Sequence, residues 1–140
     1  MKNKQSQLLR AAFAAGAITD ALAILPLVFP SLARILWGIE EVNGPAQFAM
    51  GYAAALMLGW TGLLVWAYQR PVERRVVAVL TILVIAGFVT TEIIGVLTGS
   101  MEFWRMTPAW ILQAILLVLF GIGYHYPDPQ LLNPKISDEV

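Results

Sequence analysis

RAAFAAGAITDALAILPLVFP, residues 10–30, is the stretch that decides the fold. Between Arg10 and Pro30 it contains one acid, Asp20, and no further base. A helix needs about 20 mostly apolar residues to cross about 30 Å of hydrocarbon, and this run supplies them. Three more runs have the same character: 46–68, 76–98 and 108–126. The chain of 140 residues is 59% hydrophobic and 13% charged, and its mean hydropathy is +0.71. A soluble domain carries about 25% charged residues. The runs are continuous rather than alternating and far longer than a barrel strand, which speaks against strands. The expected fold is all-α: a polytopic membrane protein with four transmembrane helices in an up-down-up-down bundle. The transmembrane domain covers 1–126, and 127–140 form a polar tail.

The balance of charges narrows the function classes. Formal net charge is zero, so nothing points to nucleic acid or an acidic partner. There are no cysteines, which excludes disulfides, thiol redox chemistry and Cys-ligated metals. Gly121-Ile122-Gly123 is too short for a nucleotide fingerprint. His125 stands alone near the end of the fourth span, where the helix dipole favours it and no second metal ligand matches its depth. No cofactor and no metal is expected. The one certain partner is the lipid bilayer.

Basic residues set the expected orientation. Seven lie at the N-terminus (Lys2, Lys4, Arg10), in the second loop (Arg70, Arg74, Arg75) and in the tail (Lys135), and two (Arg34, Arg105) lie in the other loops. The positive-inside rule then puts both termini and the second loop in the cytoplasm of a bacterium whose inner membrane holds the chain. The second loop reads as an orientation anchor rather than a site, with a bound anionic lipid as the alternative. Met1 to Lys4 resembles the start of a signal peptide and Ala12-Phe13-Ala14 a cleavage box. The apolar run continues past that box to Pro30, so the segment reads as a retained span.

Pro26 and Pro30 each remove a donor and clash with a carbonyl four residues back, so the outer end of the first span should bend or unwind. After Pro30, Leu32, Ile35, Leu36 and Ile39 recur at helical spacing, which predicts a short amphipathic helix on the membrane surface. Trp37, Trp104 and Trp110 fall at the same boundary and read as an interfacial belt. Small residues let helices approach closely in lipid. Gly87, Thr91, Gly95 and Gly99 make such a stripe on the third span, and Gly51, Ala55 and Gly59 make one on the second. Ala12, Gly16 and Ala23 lie near one face of the first. The fourth span, dominated by large residues, is expected to pack less tightly.

Asp20 and Glu92 are the candidate functional residues. A carboxylate at the bilayer centre costs about 2.5–3.5 kcal/mol on insertion scales, so such groups face the bundle interior. Gly16 lies one turn below Asp20, and Gly95 lies one turn from Glu92, which places both acids beside close-packing faces. Glu92, Tyr52 and Gln113 each fall roughly 6–8 Å outward of their span centres, in one layer. Thr91, Thr90 and Gln47 are close to it, and Asp20 is expected somewhat deeper. These groups would line a polar pocket for a lipid or small lipophilic ligand.

The segment GYAAALMLGWTGLLVWAYQRPVERR, residues 51–75, resembles uncharacterised small bacterial four-helix integral membrane proteins. That resemblance implies the fold and names no activity. Asp20 followed by Pro26 is similar to the EXPERA-type four-helix fold of sterol isomerases and related sterol-binding receptors. That family pairs acids on its first two helices, and its isomerases add His and Trp. Here the second span has no acid, and the fourth has no matching His. Besides a ligand-binding protein, two other classes stand. One is a structural or accessory subunit, meeting a membrane-protein partner or its own copies. The other is an enzyme acting on a membrane lipid through an acid–base pair. The site is drawn from Asp20, Glu92, Tyr52, Gln113 and Thr91.

Overall fold

A computed structural model of the protein describes residues 4–39 and 41–125. The described residues form five helices and no strand: α1 (Lys4–Val28), α2 (Pro30–Trp37), α3 (Gly44–Gln69), α4 (Val76–Leu97) and α5 (Phe103–His125). Of these, α1, α3, α4 and α5 are long and apolar enough to cross a membrane. The chain is therefore an all-α, four-helix membrane protein. The tail expected at 127–140 lies outside the described residues. The end that carries the start of α1 and the 70–75 turn is called basal below, and the end that carries α2 is called distal.

Two helix limits differ from expectation. Pro26 sits inside α1, fully packed, and the helix runs on to Val28. The break comes at Phe29, whose extended backbone (φ −108°, ψ 101°) precedes Pro30. Proline forces the residue before it out of the helical region, so Pro30 stops α1 while Pro26 does not. α5 likewise begins at Phe103, five residues ahead of Pro108. A proline this near a helix start forfeits only an early backbone bond and so fails to mark the boundary.

The amphipathic helix expected after Pro30 is present as α2. It ends at Gly38, whose φ of 73° is left-handed. A Cβ there would also lie 2.9 Å from Nε of Arg105, so glycine is required twice over. Arg105 donates to the Ile35 carbonyl at 3.1 Å and to Glu102 at 2.7 Å. One guanidinium thus ties the end of α2 to the start of α5. At α3 the side chain of Asn43 accepts from the Ala46 amide at 2.9 Å, capping the helix start.

The spans form a row in the order α3, α1, α5, α4, with α1 packed most extensively on α3. α5 is an inner member of this row, between α1 and α4. The expectation that it packs loosely is thus corrected. Its large residues fill the core, and Gly123 lets Leu9 come within 3.0 Å of where a Cβ would stand. Gly16 has the same role on α1, with Phe120 at 3.1 Å and Leu64 at 3.2 Å from its Cβ position. Phe13 and Phe120 meet in a tilted ring contact with centroids 5.7 Å apart. Leu9, Ala12, Ala17, Leu64, Ala67, Val77, Ala78, Ile85 and Leu116 complete the core.

That core is basal. The buried residues of α4 (Val77, Ala78, Thr81, Ile85) all fall in its first half. Leu64 and Ala67 lie near the end of α3, and before them only Ala54 is buried. α3 and α4 are joined by the short 70–75 turn yet barely touch. They share a core basally and part toward the distal end. The stripes expected to join helices are uncovered there: no atom lies within 4 Å of a Cβ built on Gly51, Gly59, Gly87 or Gly99. Thr91 is exposed, and Gly95 meets only Met101 of the turn that follows its own helix. Small residues permit close approach, but they do not choose which helix arrives.

Candidate functional site: a polar layer in the distal half

Helix register brings Asp20 and Glu92 to one depth. The Cα of Leu9 lies 3.6 Å from the Cβ position of Gly123, so α1 and α5 are level there. Asp20 stands eleven residues distal of Leu9 along α1, and Gln113 stands ten residues distal of Gly123 along the antiparallel α5. At 1.5 Å per residue both lie about 15–17 Å above that contact. Gln113 in turn donates from Nε2 to Oε1 of Glu92 at 2.9 Å, joining α5 to α4. Asp20 is thus in the Glu92 layer itself and not beneath it.

The helical faces agree. Asp20 is one turn beyond Gly16, on the side of α1 that meets Leu64 and Phe120. Glu92 continues the stripe of Thr81 and Ile85, the buried face of α4. Trp60 lies one turn distal of Leu64 on α3 and packs against the core. Asp20 and Trp60 therefore each stand one turn beyond the Gly16–Leu64 contact, on facing helices.

The hydrogen-bond account of this layer does not close. Glu92 Oε2, Gln113 Oε1, Trp110 Nε1 and Trp60 Nε1 are buried and have no partner. The Trp110 indole lies beside the Glu92 carboxyl without hydrogen-bond geometry to it. Asp20 is half-buried, and its carboxyl pairs with no described residue. An unmet buried polar atom costs about 1–3 kcal/mol in a protein interior. Buried carboxyl and amide groups are ordinarily paired; here Asp20, Glu92 and Gln113 together leave acceptors in surplus, with two indole N–H groups nearby.

The other expected members do not join. Tyr52 points away from the bundle, 63% exposed, with its ring 4.8 Å from that of Phe48. Thr91 is exposed and donates to the Gly87 carbonyl of its own helix at 3.0 Å, and Thr90 does the same to Ala86 at 2.8 Å. Gln47 is exposed. Tyr52 also stands eight residues distal of Trp60 on α3, about 12 Å at 1.5 Å per residue, so the expected common depth does not hold, and its angular position lies well off the face that carries Leu64 and Trp60. Trp60 and Trp110 were not read as site residues. The signal for Trp110 was its place one turn before Gln113, and for Trp60 its place one turn before Leu64.

Among the described residues no group of three or more His, Cys, Asp or Glu is placed to hold a metal ion. His125 is exposed at the end of α5, edge-on to Tyr124 with centroids 5.3 Å apart. No protein-family model, curated protein or solved structure matches the chain.

Proposed function

We propose that this chain is a multi-pass protein of a bacterial inner membrane that binds a lipid or small lipophilic ligand in the distal half of its bundle. The ligand presents a hydrogen-bond donor to Asp20, Glu92 and Gln113. Its apolar part lies where α3 and α4 part. The observation that carries this reading is the acceptor surplus: two carboxyls and an amide oxygen in one layer, with no base among the described residues of that layer. A buried acceptor left without a donor is a cost that a donor-bearing ligand removes. Trp60 and Trp110 supply flat apolar walls and their own N–H groups.

The test uses purified protein in detergent and three probes of equal chain length: a long-chain amine, alcohol and carboxylic acid. Indole fluorescence reports binding, since two of the wall residues are tryptophans. The amine and alcohol should bind and the acid should not. Asp20→Asn with Glu92→Gln keeps shape and removes ionisation, and should abolish amine binding in a folded protein. Equal binding of all three probes, or wild-type amine binding by the double variant, overturns the reading.

A second reading has its own support. The uncovered small faces at Gly51, Ala55 and Gly59 and at Gly87 and Thr91 suit contact with another membrane helix. In that reading the chain is an accessory subunit or homo-oligomer. Light scattering in mild detergent separates it from a monomeric binder. Both readings place the basal end in the cytoplasm, from the seven-to-two division of basic residues. Reporter fusions after Gln69 and after Val140 should both read as cytoplasmic, and a periplasmic signal at either refutes that orientation.

A further inference from the structure

The basal end gathers Lys4, Arg10, Arg70, Arg74 and Arg75, and Glu73 is the one acid described there. Glu73 is taken by Arg70 at 3.3 Å, with both side chains well exposed. The other three arginines have no acid partner among the described residues. Each instead lies over an aromatic ring. Arg74 sits 3.7 Å from the Trp66 centroid and donates to the Trp66 carbonyl. Arg10 lies 5.8 Å from the Tyr68 centroid, and Arg75 lies 5.8 Å from that of Tyr124. These pairs come from four different parts of the chain: α1, α3, the 70–75 turn and the end of α5.

A guanidinium stacked on a ring uses its face for the ring and keeps N–H donors free along its edge. That planar fork matches the oxygens of a phosphate. Trp and Tyr prefer headgroup depth in a bilayer, so the rings hold the three guanidiniums at the level of lipid phosphates. Beneath them the helix surface is apolar and exposed at Val65, Val76, Val79 and Ile122, which suits acyl chains. A zwitterionic headgroup would bring its own cation to a place whose described acid is already paired. An anionic headgroup brings none.

We propose that the stacked arginines Arg10, Arg74 and Arg75 form a contact site around the basal end for the phosphates of anionic phospholipids. The aromatic partners fix the guanidiniums before the lipid arrives, so little side-chain freedom is lost on binding. This site is independent of the distal polar layer, and neither needs the other.

The test is native mass spectrometry of the protein released from nanodiscs of phosphatidylcholine and phosphatidylglycerol in equal amounts. The wild type should retain phosphatidylglycerol in preference to phosphatidylcholine. Arg10→Gln, Arg74→Gln and Arg75→Gln should each weaken that preference about fivefold, from about 1 kcal/mol per arginine near a membrane surface. Arg70→Gln, which removes a residue already paired, should leave it unchanged. Absence of preference in the wild type overturns the proposal. So does equal loss from Arg70→Gln, which would mean diffuse charge and not stacked guanidiniums. In a parallel arm, inorganic phosphate is added to phosphatidylcholine nanodiscs and thermal stability is followed. It should have no effect; a stabilisation equal to that from phosphatidylglycerol would assign the site to a soluble anion instead. The wild-type comparison keeps the test decisive if one of the variants fails to fold.

Discussion

In the basal half, Phe13, Leu64, Ile85 and Phe120 close around Gly16, and every helix of the row contributes. In the distal half the same four helices carry Leu22, Leu56, Ile93 and Ile111 outward, and the half-buried groups between them are Asp20, Glu92 and Gln113. The two halves have similar apolar content, yet one is a packed core and the other a parted pair of helices around a polar layer. In lipid an apolar side chain gains little by leaving the hydrocarbon for a protein interior, so packing must come from shape. The basal half has shape complementarity at Gly16 and Gly123. The distal half has polar groups that seek partners.

Removing packing from the basal half should have the largest effect. Phe120→Ala deletes the ring that meets Phe13 and covers Gly16, and should lower stability by about 3 kcal/mol in detergent unfolding. A loss below 1 kcal/mol would mean that the basal core is no tighter than the distal half. Gly16→Leu tests the same contact from the other side. Its Cβ alone would stand 3.1 Å from Phe120, and overpacking of this kind costs about 1–3 kcal/mol.

The distal half should respond weakly where the basal half responds strongly. Gln113→Leu removes the one hydrogen bond to Glu92, and interhelical bonds of this type are worth about 0.6 kcal/mol and at most about 1.7. A larger loss, read by the same unfolding assay, would show that the α4–α5 bond holds the fold and is not merely part of a site. Gly95→Leu meets only the flexible Met101 side chain and should cost less than about 1 kcal/mol, although the stripe in the sequence reads as a packing face. Gly87→Ala should be neutral or stabilising by up to about 1 kcal/mol, because it removes a helix glycine where nothing is nearby. Destabilisation at Gly87 would reveal a helix packed on that face, as in an oligomer. The smallest effect is expected for Tyr52→Phe, which should leave probe binding unchanged. Lost binding would bring Tyr52 back into the site.

Four spans, a short helix after Pro30 and the inward placement of Asp20 and Glu92 were legible in the chain, because hydrocarbon thickness and the cost of burying charge act on local sequence. The pairing of Glu92 with Gln113 was half legible: counting residues from span centres gave the right depth for both. The same count missed Tyr52 in both respects: it stands about 12 Å distal of Trp60 along α3 and faces away from the bundle. Depth relative to another helix depends on how the two are staggered, and facing depends on how each is turned; neighbours set both. Trp110 shows the converse, since a residue read as part of the interfacial belt lies beside the Glu92 carboxyl.

The sequence by itself determined that this is an all-α membrane protein, how many times it is apolar enough to cross, and which two residues are costly to bury. Those outcomes follow from composition and from a period of 3.6, which each segment carries within itself. Only the tertiary structure decided that α5 lies between α1 and α4, that Gly16 and Gly123 are the close contacts while the longer glycine stripes stay bare, and that Trp60 and Trp110 join the acids. Among apolar helices in an apolar solvent many pairings differ little in transfer energy. The choice then falls to which side chains interlock across two helices at once, and no single segment contains that information.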